Sequence, residues 1–146
     1  MSNTYLSDDD YDFIYSRVPR ICVDLLVKNS KGQVLLTQRT IEPYLNHWHF
    51  PGGRIKFKES IQDAVKRIAK GELGIELDNI GTVRGSCEFP DEIQKGQQRH
   101  SISIVHEIVL PDDITLSAQD KYKWVSEIPE PTIPPQKDFL IQNQIL

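Results

Sequence analysis

Residues 49–75, HFPGGRIKFKESIQDAVKRIAKGELGI, constrain the fold more than any other stretch. A short β-prone run, HWHF, meets Pro51-Gly52-Gly53, where the backbone must turn sharply or approach a neighbour closely. Beyond it Ile61, Ala64, Val65, Ile68 and Ala69 recur at spacings of three and four, which predicts an amphipathic helix with one apolar stripe. Gly74, just past Leu73, is the expected stop. Gly71 within the helix costs about 1 kcal/mol relative to alanine, which points to relaxed demands or to close packing against a neighbour.

The flanking segments supply strands. RICVDLLVKN and QVLLTQRT are β-branched and apolar, and Ser30, Lys31 and Gly32 between them predict a hairpin tip. After the central helix, NIGTVRGSCEF and HSISIVHEIVL read as strands flanking a polar loop, PDEIQKGQQR, and KYKWVS reads as a shorter strand. DDDYDFIYSRV, with an acidic start and Tyr11, Ile14 and Tyr15 at helical spacing, predicts a short helix. PEPTIPP breaks the chain before a C-terminal helix over QKDFLIQNQIL. Strands before and after one central helix make this an α/β sandwich with a mixed sheet. The connections are too short for a second unit, so residues 1–146 read as one domain.

The net charge of −4 and the scattered basic residues argue against nonspecific nucleic-acid binding. MSNTYLSDDDYDF is too polar and acidic for a secretory signal, and no apolar run reaches membrane-spanning length, so a cytoplasmic location is expected. Cys22 and Cys87 form no metal-type pair and read as reduced, buried thiols.

Glu72 lies four residues after Ile68 and seven after Val65, within the apolar stripe. A carboxylate there meets desolvation and the negative end of the helix dipole, and a divalent cation would relieve both. A salt bridge to a buried Arg or Lys, or a stripe that ends before Glu72, accounts for the same pattern. The Gly-Gly pair offers an exposed carbonyl as a hard ligand for Mg²⁺ or Mn²⁺. Arg39 and Arg54 nearby in sequence suit a diphosphate, since guanidinium groups match phosphate oxygens bidentately.

With these residues in place, the chain resembles the Nudix hydrolase family, whose box is G-x5-E-x7-R-E-U-x-E-E-x-G-U with U bulky and apolar. Gly53, Glu59, Arg67, Glu72, Gly74 and Ile75 fall in register over 23 residues, while Ile68 and Gly71 replace two of the usual carboxylates. Those two losses, VDLLVKNSKGQVLLTQRT, PGGR and LPDDITLSAQDKYKWVS resemble the GDP-mannose mannosyl hydrolase branch, over roughly residues 10–126. The resemblance implies a Nudix-type α/β/α sandwich, a nucleotide-sugar substrate, Mg²⁺ as cofactor (Mn²⁺ as substitute) and a homodimer to which SDDDYDFIYSRV could contribute. It implies that the Gly52 carbonyl and Glu72 hold the ion, that Arg39 and Arg54 face the diphosphate, and that Asp24 belongs to the active-site region. Arg67 would support the helix by pairing with Glu59. The branch's late-loop Gln-His pair, ligand and base, is replaced by Ala118-Gln119-Asp120. A one-residue slip makes Gln119 the ligand and Asp120 the base. His47, His49 and His100 also lie nearby in sequence and read first as hydrogen-bonded strand residues.

The expected chemistry is attack of water at the sugar carbon with departure of GDP. Cleavage within the diphosphate, with Glu59 and Glu72 both near metal, and binding without turnover are the two alternatives. The products separate the first pair, and tight binding without products marks the third.

Overall fold

The computed structural model describes residues 6–146. Helix α1 spans Asp8–Tyr15, and strands β1 (Arg20–Lys28) and β2 (Val34–Gln38) form the expected hairpin, with Lys28 opposite Val34. Strands β3 (Trp48–His49) and β4 (Gly52–Arg54) lead into helix α2 (Ile61–Leu73). Strands β5 (Thr82–Gln94), β6 (Gln97–Val109) and β7 (Tyr122–Val125) precede helix α3 (Pro134–Gln142).

Within the described residues these strands form one mixed sheet in the order β3-β2-β1-β6-β5, with β4 also on β1 and β7 also on β2. The β1–β6 pair is parallel and the others are antiparallel. Period-two alternation along β1 sends Val23, Leu25 and Val27 into one core with α2, and Leu26 into a second core with Phe139 and Leu140 of α3. Helices thus cover both faces, the Nudix-type α/β/α sandwich with a central mixed sheet.

Helix α2 is built as its sequence reads. Ser60 caps its start by accepting the Asp63 N–H at 3.0 Å. Gly74 ends it at φ 67°, a left-handed conformation that favours glycine. Ala64, Val65, Ile68, Ala69 and Leu73 are buried, whereas Ile61, expected in the stripe, is 40% exposed at the first turn. Gly71 faces open space, so close packing does not explain it.

The segment expected to be a polar loop, 90–99, is instead the end of a long hairpin. Lys95 and Gly96 turn it with φ 51° and 75°, the left-handed pair that suits a two-residue connection. No helix among the described residues is long and apolar enough to cross a membrane.

Candidate active site

The β1–β4 ladder sets the first part of the site. The Leu25 N–H bonds to the Pro51 carbonyl at 2.8 Å and the Ile55 N–H to the Ile21 carbonyl at 2.9 Å. Pairs alternate in an antiparallel ladder, so the peptide groups of Gly52, opposite Asp24, and Arg54, opposite Cys22, point away from β1. The Arg54 carbonyl accepts from Arg67 Nη2 at 2.8 Å, and the Gly52 carbonyl emerges on the same edge. Glycine is required at 52: a Cβ there would collide with Asp24 Oδ1 and lie 2.7 Å from the Val23 carbonyl oxygen. On the other side of β4, Gly53 faces Ile68, 3.5 Å from where its Cβ would stand. Ile68, in the position of a box carboxylate, therefore packs beneath the glycine strand.

Arg67 and Glu59 form a fork. Nε donates to Glu59 Oε2 at 2.7 Å and Nη2 to Oε1 at 2.9 Å. Oε1 also accepts the Lys56 N–H at 3.0 Å. The Arg67 guanidinium holds the Glu59 carboxyl below its ordinary range. Both oxygens of Glu59 are engaged, so it ties the turn before α2 to the helix.

At the far end of α2 the unpaired terminal carbonyls capture the late loop. Ser117 donates its N–H to Leu73 at 2.9 Å and Gln119 to Glu72 at 3.3 Å. Gly74 also permits this approach, because a Cβ would stand 2.8 Å from Ser117 Cβ. Gln119 is exposed, while Asp120 is half-buried. Burial, reinforced by the Asp120 charge, raises the Glu72 carboxyl above its usual range, and Arg39 opposes the rise. Among the described residues Glu72 forms no salt bridge.

A half-buried acid raised by its burial and by a neighbouring carboxylate suits a hard divalent cation. Among the described residues no group of three or more His, Cys, Asp or Glu side chains gathers around one point. An ion held by Glu72, Asp120 and the Gly52 carbonyl would complete its shell with water and substrate oxygens.

On the α3 face, a cavity of about 210 Å³ opens beside this edge. Arg39, Arg54, Gly52 and Asp24 line it, together with His49, Gln136, Arg20 and Glu92. Neither Arg39 nor Arg54 is in a salt bridge among the described residues. Arg39 Nε donates to the Pro43 carbonyl at 2.5 Å, and burial lowers its pKa. Two guanidinium groups without salt-bridge partners among the described residues give the cavity donors of the kind that suit an anion.

Asp24 is 6% exposed. Burial raises its carboxyl to about 7, against hydrogen bonds from Gln136 and Ser103 that favour the anion. Gln136 Nε2 donates to Asp24 Oδ2 at 2.9 Å while its Oε1 accepts the Phe50 N–H at 2.8 Å, so one amide fixes both groups.

Of His47, His49 and His100, only His49 lines the cavity. Burial and the Arg39 charge lower it to about 3, so it stays neutral and is a poor proton acceptor at neutral pH; its Nε2 lies 3.1 Å from Thr37 Oγ1. His47 instead contacts the Leu45 carbonyl, and His100 borders a separate surface hollow. Both cysteines are free; burial pushes each thiol up to about 12, although Cys22 is half-buried rather than buried.

Sequence reasoning missed Arg20, Glu92 and Gln136. Arg20 Nη2 pairs with Glu92 Oε1 at 2.9 Å at the floor of the cavity. Glu92 lies in the segment read as a loop. Gln136 is buried within α3 beside Phe139 and Leu140, and nothing in the sequence alone marked it.

The NUDIX domain family matches residues 18–138. The chain belongs to the Nudix hydrolase family. Among curated relatives, the low-salt glycan biosynthesis protein Agl8 of Haloferax volcanii is 32% identical over 113 residues, 75% of this chain and 71% of that protein. The ADP-ribose pyrophosphatase of Methanocaldococcus jannaschii is 30% identical over 87 residues, covering 60% of this chain but only 48% of the relative. The MutT protein of Methanosarcina mazei Go1 superposes with a TM-score of 0.70 at 27% identity, over 88% of this chain and 95% of that one.

Proposed function

We propose that this Nudix protein is a divalent-metal-dependent hydrolase of a nucleoside diphosphate sugar, GDP-mannose-like, that releases GDP and free hexose by attack of water at the sugar carbon. The observation that carries the reading is the placement of Arg39 and Arg54, unpaired by carboxylates, on one cavity with the buried Asp24. The similarity to a glycan biosynthesis protein supports a sugar-bearing substrate.

The two arginines bind the diphosphate and stabilise the charge that develops as it leaves. Glu72, Asp120 and the Gly52 carbonyl would hold the ion, with Gln119 at the edge of the same set. When bound, Mg²⁺ or Mn²⁺ supplies further neutralisation of the departing diphosphate. Asp24 lies inside the cavity and takes the proton of the attacking water, held in place by Gln136. Asp120, expected from sequence as the base, is read here with Glu72 because their charges are coupled.

Phosphorus NMR of the protein with GDP-mannose and Mg²⁺, against an EDTA control, tests this. GDP without GMP is the expected product. GMP with mannose 1-phosphate refutes attack at carbon and favours the second reading, cleavage within the diphosphate, which the similarity to an ADP-ribose pyrophosphatase supports. Tight binding with no product refutes turnover altogether.

A further inference from the structure

We infer that Tyr11 and Tyr15 are positioning residues for Arg54, holding its guanidinium at the cavity for the substrate diphosphate. The inference rests on the diphosphate role of Arg54 proposed above.

Tyr11 and Tyr15 lie one turn apart on α1, so both rings project from the same face. Their centroids are 4.8 Å apart with planes at 61°, forming a corner. The Arg54 guanidinium carbon lies 5.7 Å from the Tyr11 centroid and 5.6 Å from that of Tyr15. Its Nη1 is 3.5 Å from the Tyr15 hydroxyl. With no carboxylate to fix it, the long Arg54 side chain takes its orientation from these rings. The contact leaves the full positive charge available to an anion, which a salt bridge would not.

The helix carrying the rings is fastened in an unusual way. None of its residues is buried, so an apolar face does not hold it. Two buried arginines grip it instead. Arg20 Nη1 donates to the Tyr11 hydroxyl at 2.7 Å, and Arg99 Nη2 donates to Asp12 Oδ1 at 2.5 Å. Arg99 also lies 5.6 Å from the Tyr11 ring. These polar grips fix the register of the aromatic corner relative to β4. The same segment that the sequence offered as a dimer contact thus packs against its own domain, beside the cavity.

Calorimetric titration with GDP and Mg²⁺ of the full chain, Tyr15→Leu, Tyr15→Phe, Arg54→Ala and the Arg54→Ala/Tyr15→Leu pair tests the idea. Tyr15→Leu should weaken GDP binding about two- to five-fold, the size of a cation–π contact. Tyr15→Phe, which keeps the ring, should stay near the parent. Once Arg54 is alanine, Tyr15→Leu should have no further effect. An equal loss in both backgrounds overturns the inference, since a purely structural tyrosine would act without Arg54.

The Arg54 Nε–Hε resonance, assigned by its loss in Arg54→Ala, reads the contact without ligand. It should carry a ring-current shift from both rings that Tyr15→Leu reduces. An unchanged frequency overturns the positioning. A reduced shift with GDP affinity indifferent to Arg54→Ala overturns the diphosphate role while the ring contact stands.

Discussion

Asp24→Asn should make the metal-free protein more stable at pH 8 while abolishing turnover. The native carboxyl keeps its proton up to about 7, whereas the unfolded chain releases it near the ordinary aspartate value of 3.8. Because the folded value is raised, the stability that the proton contributes is complete below the unfolded value and declines as pH rises to about 7. A gap of about three pH units at about 1.4 kcal/mol each puts the decline at about 4 kcal/mol. Asparagine resembles the neutral acid, and its carbonyl can still accept from Gln136. Its advantage over aspartate should be about 1 kcal/mol at pH 4.5 and grow to as much as about 4 kcal/mol at pH 8, after any loss from imperfect packing. Urea unfolding of both proteins in EDTA, from pH 4.5 to 8.5, measures the difference directly. Parallel curves for the two proteins would refute a buried carboxyl held neutral. An unaltered hydrolysis rate would refute its role with the water.

Other substitutions probe the altered box. Gly71→Ala meets no atom and should stabilise by about 1 kcal/mol, about 3 °C in Tm, with activity retained; thermal unfolding that shows a loss would refute an open helical site. Ile68→Glu places a charge in the packed space beneath Gly53 and should cost about 3–5 kcal/mol in EDTA, read by denaturant midpoint; a neutral result would mean that this face is wet. Glu72→Gln should remove most of the Mg²⁺-dependent rate, by about 100-fold or more, and weaken Mn²⁺ binding measured by paramagnetic relaxation. Unchanged ion binding would refute the ligand assignment.

Several of these elements could be read along the chain because one residue type had to serve one local need. The three- and four-residue recurrence of Ala64, Val65, Ile68 and Ala69 specified α2, and Gly74 marked its end. The β-branched run of β1 and the Ser30-Lys31-Gly32 turn specified the first hairpin. Each of these is a local interaction, and local periodicity carries it. The fork of Glu59 and Arg67, which locks the helix to the turn before it, was implied by the family resemblance.

The rest depended on residues distant in sequence. Residues 90–99 did not read as strand because their inward side chains, Glu92, Gln94 and Arg99, are polar, while the apolar Ile93 is 51% exposed. The usual alternation is reversed where a sheet lines a charged cavity instead of a core. Sequence identified Asp24 as a member of the active-site region only through resemblance. Its proton affinity follows from burial and from Gln136, 112 residues away. Likewise, Tyr11 and Tyr15 had the spacing of an ordinary apolar face, and only folding set Arg54 against them. The sequence determined the helix, the glycine turn and the identity of the charged groups. The tertiary structure decided which charges remain unpaired, because desolvation and Coulomb interactions act between residues that only folding brings together.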